Sequence, residues 1–172
     1  MRRYRRGSWR TSANRIFLSI GLLAVSGPQP AWPQTSEFPD GLAAFDAGDY
    51  RNAYEIWLPL AEAGDASAQV ALAGLLETGG PGVVRDLPAA IEWYRLAARG
   101  GDPVAQMNLG EFLAQGQVVP RDDVRALAWF SLAAEQGQGW AARRRNELHD
   151  SLTAGQREQA ARLALRLRAA TQ

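Results

Sequence analysis

The sequence predicts an all-α solenoid, in which antiparallel helix pairs stack one after another and a C-terminal helix caps the stack. Three observations predict it. Trp57, Trp93 and Trp129 stand at intervals of 36 residues, within the period range of stacked helical units. The residues around them are duplicated. Ala90-Ile91-Glu92-Trp93-Tyr94-Arg95-Leu96-Ala97-Ala98 returns as Ala126-Leu127-Ala128-Trp129-Phe130-Ser131-Leu132-Ala133-Ala134, and a looser copy runs from Ala53 to Ala61. Within each unit, apolar positions recur at helical spacing between Gly, Pro and Asp residues placed where helices stop and start.

The segment before the repeats reads as an export signal. Arg2, Arg3, Arg5, Arg6, Arg10 and Arg15 have no acidic neighbour, and they lead into the apolar run from Ile16 to Val25. That run is shorter than the roughly 20 residues a spanning helix requires. A basic stretch, a short apolar stretch and a small-residue exit describe a secretory signal peptide over residues 1–26. Ala24-Val25-Ser26 places cleavage after Ser26, with a second position after Ala31. A twin-arginine signal fits poorly, because no apolar motif directly follows either Arg pair. Residues 27–37, rich in Pro, form an extended linker. Retained rather than cleaved, the leader would tether the protein to a membrane.

The repeat solenoid is expected over residues 38–150. Leu42, Ala43, Ala44 and Phe45 form a short leading helix ended by Gly48, and Asp49 caps the helix carrying Tyr50, Ala53, Trp57 and Leu60. In the second unit, Ala68, Leu72, Leu75 and Leu76 share one helix face, and Gly79-Gly80-Pro81-Gly82 terminates it. Asp86 then caps a helix with Ala90, Trp93, Tyr94 and Ala97 on its apolar face. The third unit opens with Asp102-Pro103, an N-cap followed by Pro at the first helical position. Its Ala105, Leu109, Phe112 and Leu113 match the preceding unit at an offset of 37, and the crossover from Gly116 to Asp122 matches at 36. Trp140, Ala141 and Leu148 begin a fourth unit. Residues 151–172 form the capping helix: Thr153-Ala154-Gly155-Gln156 fits a capping box, and Leu152, Ala160, Leu163 and Leu167 form a stripe.

Charge narrows the class of partner. The full chain carries a formal net charge of +1. Without the leader, thirteen Arg face eighteen acidic residues, a net of −5. Residues 37–140 hold six Arg against fifteen acids, a net of −9, whereas residues 141–172 carry +4. An acidic body argues against nucleic acid as the partner. Lys and Cys are both absent. The Arg-only usage is explained by codon bias, and the lack of Cys leaves apolar packing as what holds the domain together.

The spacing of these residues resembles the Sel1-like repeat, a relative of the tetratricopeptide repeat, whose own period is nearer 34 residues. One copy is Ala105-Gln106-x-x-Leu109-Gly110, Gly116-x-x-Val119-x-x-Asp122 and Ala126-x-x-Trp129-Phe130-x-x-Ala133-Ala134-x-x-Gly137. The other is Ala68-Gln69-x-x-Leu72, Gly80-x-Gly82-Val83-x-x-Asp86 and Ala90-x-x-Trp93-Tyr94-x-x-Ala97-Ala98-x-x-Gly101. Val118 replaces a loop glycine of the pattern, and the fourth unit keeps little beyond Ala141 and Leu148. The resemblance implies a right-handed solenoid whose first helices line a concave groove. It further implies a non-enzymatic adaptor or regulator that binds a protein or peptide partner in a bacterial cell envelope, in the periplasm or secreted.

Residue chemistry points the same way. His149 is the only histidine, with no Cys or second His to complete a metal or catalytic set, so no metal, cofactor or catalytic residue is expected. Ser67, Ser131 and Ser151 lack a nucleophile-elbow context. Asp122-Asp123 is explained by helix capping and the helix dipole, and Gly79-Gly80-Pro81-Gly82 lacks the Lys and Ser/Thr of a phosphate loop. The aromatics Trp57, Trp93, Tyr94, Trp129 and Phe130 read as inter-helix core.

Recognition is expected on the first helices. Three and six places after the opening Ala stand Ala71 and Gly74, then Asn108 and Glu111, then Arg144 and Glu147, extended by Thr78, Gln115 and Ser151. Residues at such spacing share a face. Asn108, Glu111, Gln115, Arg144 and Glu147 are therefore the candidate partner-binding residues. An alternative reading, suggested by Sel1-like relatives linked to cell-wall or β-lactam ligands, is an enzyme on the same scaffold. Those relatives are typically cysteine-paired, and this chain has no Cys.

Overall fold

The computed structural model describes residues 37–170. The expected leader over 1–26, the linker up to its last residue, and the final two residues of the capping segment lie outside the described residues. Eight helices are present among the described residues: α1 (Phe38–Asp46), α2 (Tyr50–Glu62), α3 (Ala66–Thr78), α4 (Leu87–Arg99), α5 (Pro103–Gln115), α6 (Asp123–Glu135), α7 (Gly139–Ser151) and α8 (Ala154–Ala169).

Local chemistry sets the helix boundaries. Asp49, Asp65, Asp86, Asp102 and Asp122 stand at the N-caps of α2 to α6, and each carboxylate accepts the backbone N–H three residues on, at 2.8–3.2 Å. That bond satisfies one of the N–H groups a helix start leaves orphaned, and each is worth about 1 kcal/mol. The last helix uses the capping box read from its sequence: Gln156 N–H donates to Thr153 Oγ1, and Thr153 N–H to Gln156 Oε1. Helix α7 has Gln138 at its N-cap with no side-chain bond. Between second and first helices the chain turns through Gly64, Gly101 and Gly137, with φ of 94°, 95° and 92°. At those angles a Cβ would be strained, so glycine recurs at this one point of every unit.

Consecutive helices pack on one another from α1 through α7, and α8 then returns to pack on α6. Alanine dominates where helices cross: Ala53, Ala68, Ala90, Ala105, Ala126 and Ala141 are all fully buried. Small side chains there allow the close axial approach on which the stacking depends. Two buried clusters result, one centred on Trp57, Leu72 and Leu75, the other on Ile91, Tyr94, Trp129 and Phe130. Trp93 is only half-buried, but it packs against both clusters and joins them.

The structure corrects the register of the first unit. Counted from the N-cap, Trp57 is the eighth residue of its helix, as are Tyr94 and Phe130 of theirs, whereas Trp93 and Trp129 are the seventh. Trp57, Tyr94 and Phe130 are correspondingly 2 %, 3 % and 0 % exposed. The even spacing of the tryptophans thus pairs a residue facing the unit's own first helix with two from the neighbouring position. The fourth unit, which keeps little of the pattern in sequence, holds register: Ala141 lies 36 residues after Ala105, and both are fully buried.

Candidate functional site

The stripe residues on α5 and α7 come together across the gap between the two helices. Arg144 Nε donates to Glu111 Oε2 at 3.0 Å, linking α7 to α5, while Arg144 Nη1 bonds Glu147 on its own helix. Gln115 Nε2 donates to Glu111 Oε1 at 2.8 Å, one turn on. The four residues form one continuous hydrogen-bonded row, with the Arg144 and Glu111 side chains 27 % and 24 % exposed.

Aromatic rings hold the centre of that row. The Arg144 guanidinium lies 5.8 Å from the Phe130 ring centre and 5.7 Å from that of Trp140. The rings themselves meet edge to face at 5.9 Å. Phe130 is fully buried and Trp140 substantially exposed, so the cation is fixed against a rigid ring on one side and a solvent-facing ring on the other. The hydrogen bond to Glu147 is the chief influence raising the Arg144 pKa; burial opposes it and Glu111 adds to it.

Asn108 belongs to a second group one repeat earlier. Tyr94 Oη donates to Glu77 Oε2 at 2.9 Å. Burial, then the Glu77 charge and the hydrogen bond to it, push the Tyr94 pKa well above the ordinary tyrosine value, while the nearby Asn108 side chain acts in the opposite direction. The Tyr94 ring also lies against Phe112 at 6.1 Å. Thr78 and Ser151 do not join the row; their hydroxyls turn back to Gly74 and Leu148 carbonyls of their own helices.

Glu77, Tyr94, Phe130 and Trp140 were not among the expected site residues. Reading the aromatics of the second helices as core was right for Trp57, Tyr94, Trp129 and Phe130, while Trp93 is only half-buried, and the reading overlooked the more exposed partners of Tyr94 and Phe130. One signal was available: a tyrosine at a core position needs a polar partner for its hydroxyl, and Glu77 is an acid on the neighbouring helix. His149 lies exposed, with Asp150 as its neighbour at 3.5 Å.

A profile for the Sel1 repeat matches residues 66–102 and 103–138. Among solved structures, the chain is similar to c5321, a protective antigen of uropathogenic Escherichia coli strains displaying an SLR fold. The two are 33% identical with a TM-score of 0.70, over 76% of this chain and 28% of that one. It is also similar to a Sel1 repeat protein from Oxalobacter formigenes, at 28% identity and a TM-score of 0.61, over 65% of this chain and 46% of the other. The chain therefore spans less than half the length of either. No curated protein matches it. Sel1-type solenoids are generally non-catalytic scaffolds for protein interaction. The two matched repeats lie within the helical stack, between α3 and the turn before α7, and the chain carries two Sel1 repeats there.

Proposed function

We propose that this protein is an exported adaptor or regulator of the bacterial cell envelope, which binds a protein or peptide partner through the exposed faces of α5 and α7. The observation that carries this reading is the Glu111–Arg144–Glu147 row, stacked on Phe130 and Trp140. Arg144 and Glu111 are only partly exposed, Glu147 is exposed, and their neighbours already hold them in place. A partner that meets such a row gains directional hydrogen bonds without the entropy of ordering free side chains. The reading assigns no catalytic role. Export rests on the basic and apolar leader of the sequence, and among the described residues no helix is long and apolar enough to cross a membrane.

The test is capture from envelope extract on immobilised full chain, comparing wild type with Asn108→Ala/Glu111→Arg. A partner recovered by wild type and depleted at least tenfold by the variant supports the reading; equal recovery overturns the assignment to this face. N-terminal sequencing of the exported protein tests the leader. A start near Gly27 supports cleavage, and an intact Met1 supports the tethered alternative.

A further inference from the structure

A second surface lies apart from the row and shares none of its residues. Between α4, α5, α6 and α8 is a cleft of ~300 Å³ whose rim carries Arg95, Arg99 and Arg125. Its floor is apolar, with Trp129 from α6 flanked by Leu163 and Leu167 from α8. Trp129 is 6 % exposed, and both leucines are half-buried, leaving apolar surface in the cleft uncovered.

The charge here is the reverse of the acidic stretch that supplies three of its four walls, and the fourth wall, α8, is itself basic. Only six Arg occur between residues 37 and 140, a stretch of net charge −9, and three of them converge on this cleft. Arg95 pairs with Glu92 within α4 and Arg125 with Asp122 at the start of α6, each one turn away, in solvent-accessible contacts that compensate little. Arg99 is exposed and makes no hydrogen bond or ion pair among the described residues. Within the helix, Arg95 and Arg99 are four residues apart and so share a face. Arg125 faces them from α6 across the floor.

From this geometry we infer that the cleft is a docking site for an acidic peptide segment of a protein partner, one large apolar side chain seated over Trp129 and flanking carboxylates on the three arginines. Guanidinium groups around an apolar seat suit carboxylates, which they bind in a forked geometry. On the α4–α6 side the acidic stretch repels an extended anionic surface such as a phosphate backbone or an anionic bilayer, while a short segment with few charges escapes that repulsion.

The experiment selects random short peptides displayed on phage against the immobilised full chain, then measures binding of the enriched peptides by fluorescence anisotropy. The expected outcome is enrichment of peptides with Asp or Glu on either side of Leu, Ile, Phe or Trp. Arg99→Glu should weaken their binding by about tenfold or more, and Arg51→Glu, which makes the same charge change outside the cleft, should not. Circular dichroism melting confirms that both exposed-site variants remain folded. Binding should also weaken as salt is raised. Selected peptides without acidic residues, equal loss in Arg51→Glu and Arg99→Glu, or no enriched peptide would each overturn the inference. So would Arg99-dependent binding of anionic phospholipid vesicles or of a single-stranded oligonucleotide in place of peptide.

Discussion

Gly110 on α5 lies directly beneath the ring of Phe130 on α6: a Cβ built on Gly110 would sit 2.8 Å from Phe130 Cε1. Phe130 is fully buried and is held from above by Arg144 and Trp140, so the ring has nowhere to retreat. The same arrangement recurs at the start of the stack, where a Cβ on Gly41 would meet Trp57 Nε1 at 2.2 Å. In both places, a missing side chain on the first helix makes room for an aromatic of the second.

Gly110→Ala is therefore expected to destabilise the protein although alanine is the better helix former. The propensity gain is about 1 kcal/mol, and overpacking a rigid core costs about 1–3 kcal/mol. Gly155→Ala is the contrasting case, since nothing lies within 4 Å of its added Cβ, and it should be neutral or slightly stabilising. Urea unfolding of the two variants checks this. A Gly110→Ala protein as stable as wild type would show that the ring can move.

The buried glutamines make inter-helix bonds that should be measurable one at a time. Gln69 Nε2 donates to the Ala61 carbonyl at 3.1 Å and Gln106 Nε2 to the Ala98 carbonyl at 3.3 Å, each reaching back to the end of the preceding helix. Gln106 Oε1 also accepts from Gln136 Nε2 at 3.0 Å. Replacing either by Ala should cost about 1–2 kcal/mol, with Gln106→Ala the larger loss because two bonds go. At the third such junction, Ala142 occupies the equivalent place 36 residues after Gln106, and Gln136 bonds the Gly101 carbonyl as well. Equal losses in the two variants would argue that the Gln136 contact contributes nothing.

Tyr94 should make the protein sensitive to alkali. Its pKa is raised above the unfolded value, first by burial and then by Glu77. The folded state thus holds the proton more tightly, and the contribution is complete below the ordinary tyrosine pKa of about 10 and is lost as pH rises beyond it. Tyr94→Phe removes the titrating group together with the bond to Glu77. It should be less stable than wild type by about 1 kcal/mol near neutrality, and the difference should narrow above pH about 10. Thermal melts from neutral to strongly alkaline pH follow it; a difference that stays constant throughout contradicts the assignment.

The link between α5 and α7 should be real but modest. Glu111 and Arg144 are about a quarter exposed, and solvent screens such a pair, so a double-mutant cycle of Glu111→Ala and Arg144→Ala should give a coupling of about 0.5–1 kcal/mol. Arg144→Ala alone should cost more than Glu111→Ala alone, because it also removes the stacking on Phe130 and Trp140. The reverse order would mean that the rings do not hold the guanidinium.

How far the sequence reaches depends on the range of the interaction that decides each feature. Asp102 caps α5 and Thr153 pairs with Gln156 through bonds spanning three residues, so both were legible as spelling. The small residues at Ala68, Ala105 and Ala141 were legible too, because stacking repeats one contact in each unit. Register between the first unit and the second was not. Trp57 and Trp93 are the same letter at an even interval, yet Trp57 fills the place of Tyr94. Which aromatic occupies a gap depends on the residue facing it, here Gly41, and that residue lies on another helix.

The stripe shows the same division. Helical spacing alone put Asn108, Glu111 and Gln115 on one face of α5, and Arg144 and Glu147 on one face of α7. That Arg144 crosses to Glu111 while Asn108 lies near Tyr94 was set by helix packing, as was the return of α8 to α6. By itself the sequence determined the helices, their ends and the repeat, since neighbours three or four residues apart decide those. The tertiary structure decided the register of the first unit, the partners in the row and the Arg-rimmed cleft. These depend on contacts between residues tens of positions apart, and packing selects them only once the helices are in place.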